Sequence, residues 1–189
     1  MATDFVKEKR YSDAVSIFEE LAKNNEHDAQ YNLAFLISSG KGITKNYSEA
    51  LFWAFLSHLG KIEKAEDLAE DLKDIVPEKV LKDVREKVLK HLLERFDNRD
   101  RAVLTELGDF YLLVLDEQDF ENAYIWYSVA SALGIENSGE IRDKVEKELE
   151  PDTIIKMQVA SRKRYKEFTK EEAIKSEKKI ETTDQDYES

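Results

Sequence analysis

Tyr47-Ser48-Glu49-Ala50-Leu51-Phe52-Trp53 returns later in the chain as Phe120-Glu121-Asn122-Ala123-Tyr124-Ile125-Trp126. The echo extends through Gly60 and Gly134 to Pro77 and Pro151, and a fainter copy, Tyr11-Ser12-Asp13-Ala14-Val15, stands upstream. Self-similarity of this kind marks a solenoid: one helical unit cannot bury its apolar face alone, so it stacks on its neighbours. Chains built this way bind partners more often than they catalyse.

Around that heptad each copy reads as a helix hairpin. Asp28 to about Gly40 places Ala29, Leu33, Leu36 and Ile37 at helical spacing. Gly40-Lys41-Gly42 then ends the helix, because glycine takes the left-handed conformation at little cost. Ser48 to Leu59 forms the second arm, with Ala50, Ala54 and Ser57 on one stripe and Trp53 and Leu56 on another. The small residues let two helices approach closely, and the large ones fill the gap to the next layer. In the second copy Val103, Leu104, Leu107, Phe110, Tyr111 and Val114 predict one amphipathic helix. Its partner carries Ala123, Tyr127 and Ala130 where the first copy has Ala50, Ala54 and Ser57.

A two-helix extension follows each hairpin. Lys61 to Ile75 and Asn137 to Leu149 read as short charged helices, and each is followed by a proline suited to a first helical turn, where no N–H is needed. Beyond Pro77, Val80, Val84, Val88, Leu92 and Phe96 recur at steps of four. Beyond Pro151, Ile154, Ile155, Val159, Tyr165 and Phe168 are expected to do the same less regularly. The Trp53 to Trp126 offset makes each copy about 73 residues long. Asp97-Asn98-Arg99-Asp100 is too short for a free linker, so residues 1–168 are expected to form a single helical-repeat domain. Within it lie a partial repeat at 4–24, a repeat with extension at 27–96 and another at 99–168. From Thr169 to Ser189 only Ala173, Ile174, Ile180 and Tyr187 are apolar, which predicts a frayed helix passing into a disordered charged tail.

Composition points the same way. Six Gly and two Pro in 189 residues leave little turn chemistry for a β protein, and the abundant Leu, Ala, Glu and Lys are helix formers, so the class is all-α. The 29 Lys and Arg against 41 Asp and Glu give a net charge of −12, which opposes nucleic acid and anionic lipid as partners. Absence of cysteine excludes disulfides, thiolate catalysis and thiolate metal sites. No apolar run approaches the ~20 residues of a spanning helix, so no membrane insertion is expected. The first copy begins almost at residue 4, as removal of a targeting segment would leave it. The expected location is therefore cytoplasmic as the sequence is written, and periplasmic if Met1 stands where a signal peptide has been removed.

Asp28-Ala29-Gln30-Tyr31-Asn32-Leu33-Ala34, Gly40-Lys41-Gly42-Ile43, Asn46-Tyr47-Ser48-Glu49-Ala50 and Trp53 together resemble the Sel-one-like repeat, a branch of the tetratricopeptide superfamily. That pattern has Leu-Gly or Leu-Ala in the first helix, helix A, and a Gly-x-Gly-Val loop. An aromatic then follows an acidic or amide residue, with Ala and Trp in helix B. The second copy keeps Leu107-Gly108, Tyr111, Asp119-Phe120, Ala123 and Trp126, but has Val114-Leu115-Asp116-Glu117 in place of the glycine loop. The resemblance covers residues 28 to 60 and 102 to 134, with a weaker trace at 11 to 23. It implies a short right-handed α-solenoid of antiparallel hairpins, and an adaptor or scaffold of the kind found in the bacterial cytoplasm or periplasm.

No catalytic constellation emerges. His27, His58 and His91 are scattered, without a second ligand type at i, i+4, and fit surface or capping roles better than metal or acid–base chemistry. Gly40-Lys41-Gly42-Ile43-Thr44 follows a helix and lacks the Gly-Lys-Ser/Thr order of a phosphate loop, so it is a turn. Arg162, Lys163, Arg164 and Lys166 form a dense basic cluster suited to a helix C-terminus and to pairing with the acidic tail, against the alternative of a local anion- or nucleic-acid-binding patch. Trp53 and Trp126 recur as packing demands, against ligand stacking. No cofactor, metal or catalytic residue is assigned.

The function expected is a non-enzymatic scaffold whose groove receives a protein partner's peptide or helix. By the superfamily pattern the groove-facing positions are Tyr31, Phe35 and Ser38 in one copy and Thr105, Asp109 and Leu112 in the other, with Tyr31, Phe35 and Leu112 as apolar anchors. The alternative for these positions is burial beneath the extension helices. The alternative for the protein is a subunit that self-associates, or docks permanently on a larger complex, through an open N-terminal hairpin.

Overall fold

A computed structural model of the chain describes residues 2–185, with side chains to Lys170. Every regular element in it is a helix, so the fold is all-α. The chain divides into two compact units, Met1–Leu92 and Leu93–Ser189.

Unit 1 contains α1 (Ala2–Lys7), α2 (Tyr11–Lys23), α3 (His27–Ser39), α4 (Tyr47–Leu59), α5 (Glu63–Ile75) and the first part of α6 (Glu78–Asp97). From α1 to α5 each helix packs on the next, as antiparallel hairpins joined by short turns require. Ala50, Ala54 and Ser57 are fully buried, and so are Leu33 and Ile37 of α3 and Leu51 and Leu56 of α4. The small stripe sets the close α3–α4 approach. Burial of each large aliphatic side chain contributes about 1.5–3 kcal/mol. In α6, Val84, Val88 and Leu92 are buried at the predicted four-residue spacing.

The repeat's aromatic-after-polar signature has a local cause. Asn46 caps α4: its side chain accepts from the Glu49 N–H at 3.2 Å and its amide donates to the Glu49 carboxylate. Asp119 caps the equivalent helix of unit 2, accepting from the Asn122 N–H at 3.0 Å. Each cap satisfies an otherwise orphaned helix N–H and contributes about 1 kcal/mol. The adjacent Tyr47 and Phe120 open their helices half-buried.

Unit 2 contains α7 (Val103–Asp109), a π-helical turn (Phe110–Val114), α8 (Phe120–Ala132), α9 (Ser138–Glu146) and α10 (Pro151–Gln185). Its core joins Ala123, Tyr124, Tyr127 and Val145, with Tyr111, Leu112, Phe120, Ile154 and Met157 packed around them. Two edge-on or tilted aromatic contacts extend this core: Phe96 lies 5.1 Å from Trp126 and 5.2 Å from Phe168, centroid to centroid. Arg95 is buried and forms a bidentate pair with Glu106, at 2.5 and 2.8 Å, and a further bond to Asp100 at 2.8 Å. Burial alone pulls the Arg95 pKa down, but the bonds to and charges of Glu106 and Asp100 overturn this and raise it.

Two features of unit 2 depart from the sequence expectation. Val103 to Val114 is not one regular α-helix, because its last turn widens into the π segment and the chain leaves it through an extended Leu115. In the first copy Gly40 and Gly42, at φ 68° and 78°, turn the chain tightly; the second copy has no glycine there. In α10, Ile155 and Val159 are 62% and 69% exposed, so they do not extend the core. The buried stripe runs instead through Ile154, Met157, Ser161 and Phe168. The tail expected from Thr169 lies outside the described residues, apart from the helical backbone path to Gln185 and the side chains of Thr169 and Lys170.

Several turns use left-handed residues other than glycine. Lys9, Asn25, Lys61 and Arg99 follow α1, α2, α4 and α6 at φ 61°, 62°, 65° and 63°.

Candidate partner-binding surfaces

His27 and His91 have structural surroundings. A Cβ on Gly60 would overlap the His27 ring, so glycine there makes room for the imidazole. His27 Nδ1 lies 2.9 Å from Gln30 Oε1, the Gln30 amide donates to the Ala22 carbonyl, and Ser57 Oγ donates to the His27 carbonyl at 2.8 Å. This knot ties α2, α3 and α4 together. His91 Nε2 lies 3.2 Å from Asn25 Oδ1, with Phe52 edge-on to its ring. Among the described residues no three His, Asp or Glu side chains are grouped to hold a metal ion.

In unit 1 the expected contact residues share one face of α3. Phe35 is 45% exposed, and Tyr31 and Ser38 are half-buried. Ser38 Oγ is satisfied locally by the Phe35 carbonyl at 3.0 Å. Tyr31 borders a shallow cleft with Asp28, Asn32 and the α4–α5 turn at Lys61–Lys64. Lys41 Nζ lies 5.5 Å from the Phe35 ring centroid and 5.7 Å from that of Tyr11, so one cation sits against two aromatic faces. Gly42 fixes that loop, since a Cβ there would run into the Tyr11–Ser12 backbone.

The corresponding positions of unit 2 are placed differently. Asp109, equivalent to Phe35, is only 6% exposed and accepts a hydrogen bond from the Tyr127 hydroxyl at 2.7 Å. It is a buried structural acceptor, a correction to its expected groove-facing role. Burial, with the Asp109 charge and bond, pushes the Tyr127 hydroxyl pKa far up. Leu112 is half-buried and packs on the Ala123–Tyr127 core, so it too is used within the unit. Thr105 is half-buried, with its hydroxyl on the Ala102 carbonyl.

Instead, unit 2 has a cleft that the sequence does not mark as a site. Leu93, Tyr111, Asn122, Ile125, Trp126 and Ala160 line it, with Lys163 and Arg164 of α10 alongside. Its volume is about 240 Å³. The Arg164 guanidinium stands 5.5 Å from the Trp126 ring centroid. The Tyr111 hydroxyl is held above its ordinary pKa by burial and by the Asp119 charge, with Trp126 and Arg164 acting the other way. In the sequence Trp126 reads as core and Arg164 as a helix-end cation. The usable signal was Ala160 and Arg164 at i, i+4, a small residue and a cation on the same helix face.

The two repeats at the centre of this geometry match the Sel1 repeat family profile at residues 27–56 and 104–135. The chain thus carries two segments that match the Sel1 repeat, one in each unit. Among solved structures it is similar to a protective antigen of uropathogenic Escherichia coli displaying an SLR fold. That similarity has 18% identity and a TM-score of 0.37, over 87% of this chain and 43% of that one. The chain thus spans less than half of that protein's length. No curated protein matches it. Sel1 repeats generally mediate protein–protein interaction, and the family is typically a non-enzymatic scaffold.

Proposed function

We propose that the chain is a non-enzymatic adaptor that receives a peptide or helix of a partner protein on the helix A face of its first repeat. Phe35 carries this reading. It is a large aromatic side chain, nearly half exposed on a helix whose opposite face is fixed in the core by Leu33, Leu36 and Ile37. Aromatic anchors on a rigid surface dominate peptide-in-groove interfaces, because little side-chain entropy is lost when they are covered. Tyr31 one turn before and Ser38 one turn after extend the same stripe, and the Lys41 cation beside Phe35 adds a polar edge.

A photo-crosslinking amino acid at Phe35, compared with one at exposed Glu66 of α5, tests this. A distinct protein product at position 35 is expected. Phe35→Ser in the purified chain should then weaken binding of that purified partner by well over tenfold, the scale of one lost anchor at about 2 kcal/mol. Identical products from the two positions, or unchanged binding by Phe35→Ser with helical circular dichroism intact, would remove the helix A face from the interaction.

A further inference from the structure

The chain carries a net charge of −12, yet residues 162–170 hold five cations, Arg162, Lys163, Arg164, Lys166 and Lys170, against the single carboxylate of Glu167. Two of these cations flank the cleft over Trp126. Arg164 Nη1 lies 3.0 Å from Glu167, and Lys163 Nζ lies 4.0 Å from the same carboxylate; the Arg164 and Lys163 side chains are 46% and 80% exposed. Exposed ion pairs of this kind contribute about 0–1 kcal/mol, so an incoming carboxylate can replace Glu167 at small cost.

The cleft itself limits what else the ligand contains. A volume of about 240 Å³ holds one or two side chains and falls below the roughly 300–1,000 Å³ of small-molecule sites. Its lining of Leu93, Tyr111, Ile125, Trp126 and Ala160 calls for an apolar or aromatic group, and the one uncharged amide there, Asn122, is bonded to Asp119. A long polyanion would meet the surrounding negative field with few cations to neutralise its phosphates, whereas a short acidic peptide needs only the local basic side.

We propose that this cleft docks an acidic peptide segment of a partner protein, with an apolar side chain entering over Trp126 and a neighbouring Asp or Glu pairing with Lys163 and Arg164. The site lies in the second unit and shares no residue with the Phe35 face, though its physiological use rests on the adaptor reading above.

The test is fluorescence anisotropy of a labelled Gly-Asp-Phe-Asp-Leu-Glu peptide titrated with the full chain, beside the same peptide with Lys at each acidic position. Saturable binding of the acidic peptide alone is expected. It should weaken about tenfold or more in the Lys163→Glu/Arg164→Glu variant, as loss of facing charge pairs predicts, and fall with added salt. Both residues are exposed, so helical circular dichroism should stay unchanged. Absence of saturable binding, equal binding of the basic peptide, or equal binding by the charge-reversed variant would overturn the assignment. Tighter binding after deletion of residues 171–189 would identify the chain's own acidic tail as the occupant and also overturn it. Binding lost in Phe35→Ser but kept on charge reversal would move the site to α3, sinking this cleft while leaving the adaptor reading intact. Absence of any crosslinked partner at position 35, with the acidic peptide still bound, would do the reverse.

Discussion

Replacing Gly108 by Ala tests how the second repeat is packed, because helix propensity and sterics pull in opposite directions. In an ordinary helix interior the change stabilises by about 1 kcal/mol, since alanine loses less backbone entropy. Here the new Cβ would stand 2.6, 2.8 and 2.9 Å from three atoms of the Tyr127 ring. That ring is 1% exposed, and its hydroxyl is tied to Asp109, so it cannot swing away without breaking a buried bond. Overpacking costs about 1–3 kcal/mol, and loss of a hydrogen bond to a charged acceptor about 1.5–3 more. Net of the helix gain, Gly108→Ala should destabilise by about 1.5–5 kcal/mol, read as a lower urea midpoint at unchanged slope. The first repeat shows the complementary solution, with Ala34 and Ala54 fully buried at the corresponding positions. Tyr127→Ala alone should cost about 3–5 kcal/mol. Adding Gly108→Ala to it should cost nothing further, a coupling of at least about 1 kcal/mol. A neutral or stabilising Gly108→Ala, or simple additivity of the pair, would refute the claim that the tyrosine ring is what demands glycine.

Arg95→Met leaves Glu106 buried without its bidentate partner and should cost about 3–5 kcal/mol by denaturant titration; a loss below about 1 kcal/mol would mean that the pair is solvated. Trp126→Ala should cost about 3–5 kcal/mol and Trp53→Ala clearly less, because Trp126 is 2% exposed and Trp53 only half-buried. Equal losses in the two would show that exposure does not separate the repeats. The raised Tyr127 pKa keeps its hydroxyl protonated in the fold after unfolded chains begin to ionise near pH 10. This contribution is therefore complete below pH 10 and is lost as the pH rises above it, by up to about 1.4 kcal/mol per pH unit for one group. Tyr127→Phe should flatten the alkaline decline, leaving the smaller part due to Tyr111; an unchanged slope would remove Tyr127 as its source.

Helix positions were legible because each is set by signals within a few residues. The Asn46 and Asp119 caps, the Gly40 turn and the four-residue rhythm from Val84 to Leu92 all act locally, and all appear where their chemistry requires. Which face of a helix is covered depends on distant parts of the chain, and here the second copy departed. Ile155 and Val159 are apolar and helically spaced, but the α8–α9 surface meets Ile154 and Met157 instead. Asp109 reads as polar and outward until Tyr127, eighteen residues on, supplies a donor inside the core. The cleft over Trp126 is hidden in the sequence for the same reason: its lining comes from four helical segments, and only the pairing of Ala160 with Arg164 is visible locally. Repeat symmetry carried the helices across from one copy to the other. It did not carry their side-chain environments.

The left-handed residues that end several helices bear on how far this protein could be hardened. An L-residue in that conformation costs roughly 1–2 kcal/mol, which glycine avoids. Lys9 adopts it, and it neither belongs to the Phe35–Lys41–Tyr11 patch nor lines the Trp126 cleft. Gly at this position offers a route to a more heat-tolerant variant, well suited to long incubations with candidate partners, whose recognition chemistry is untouched.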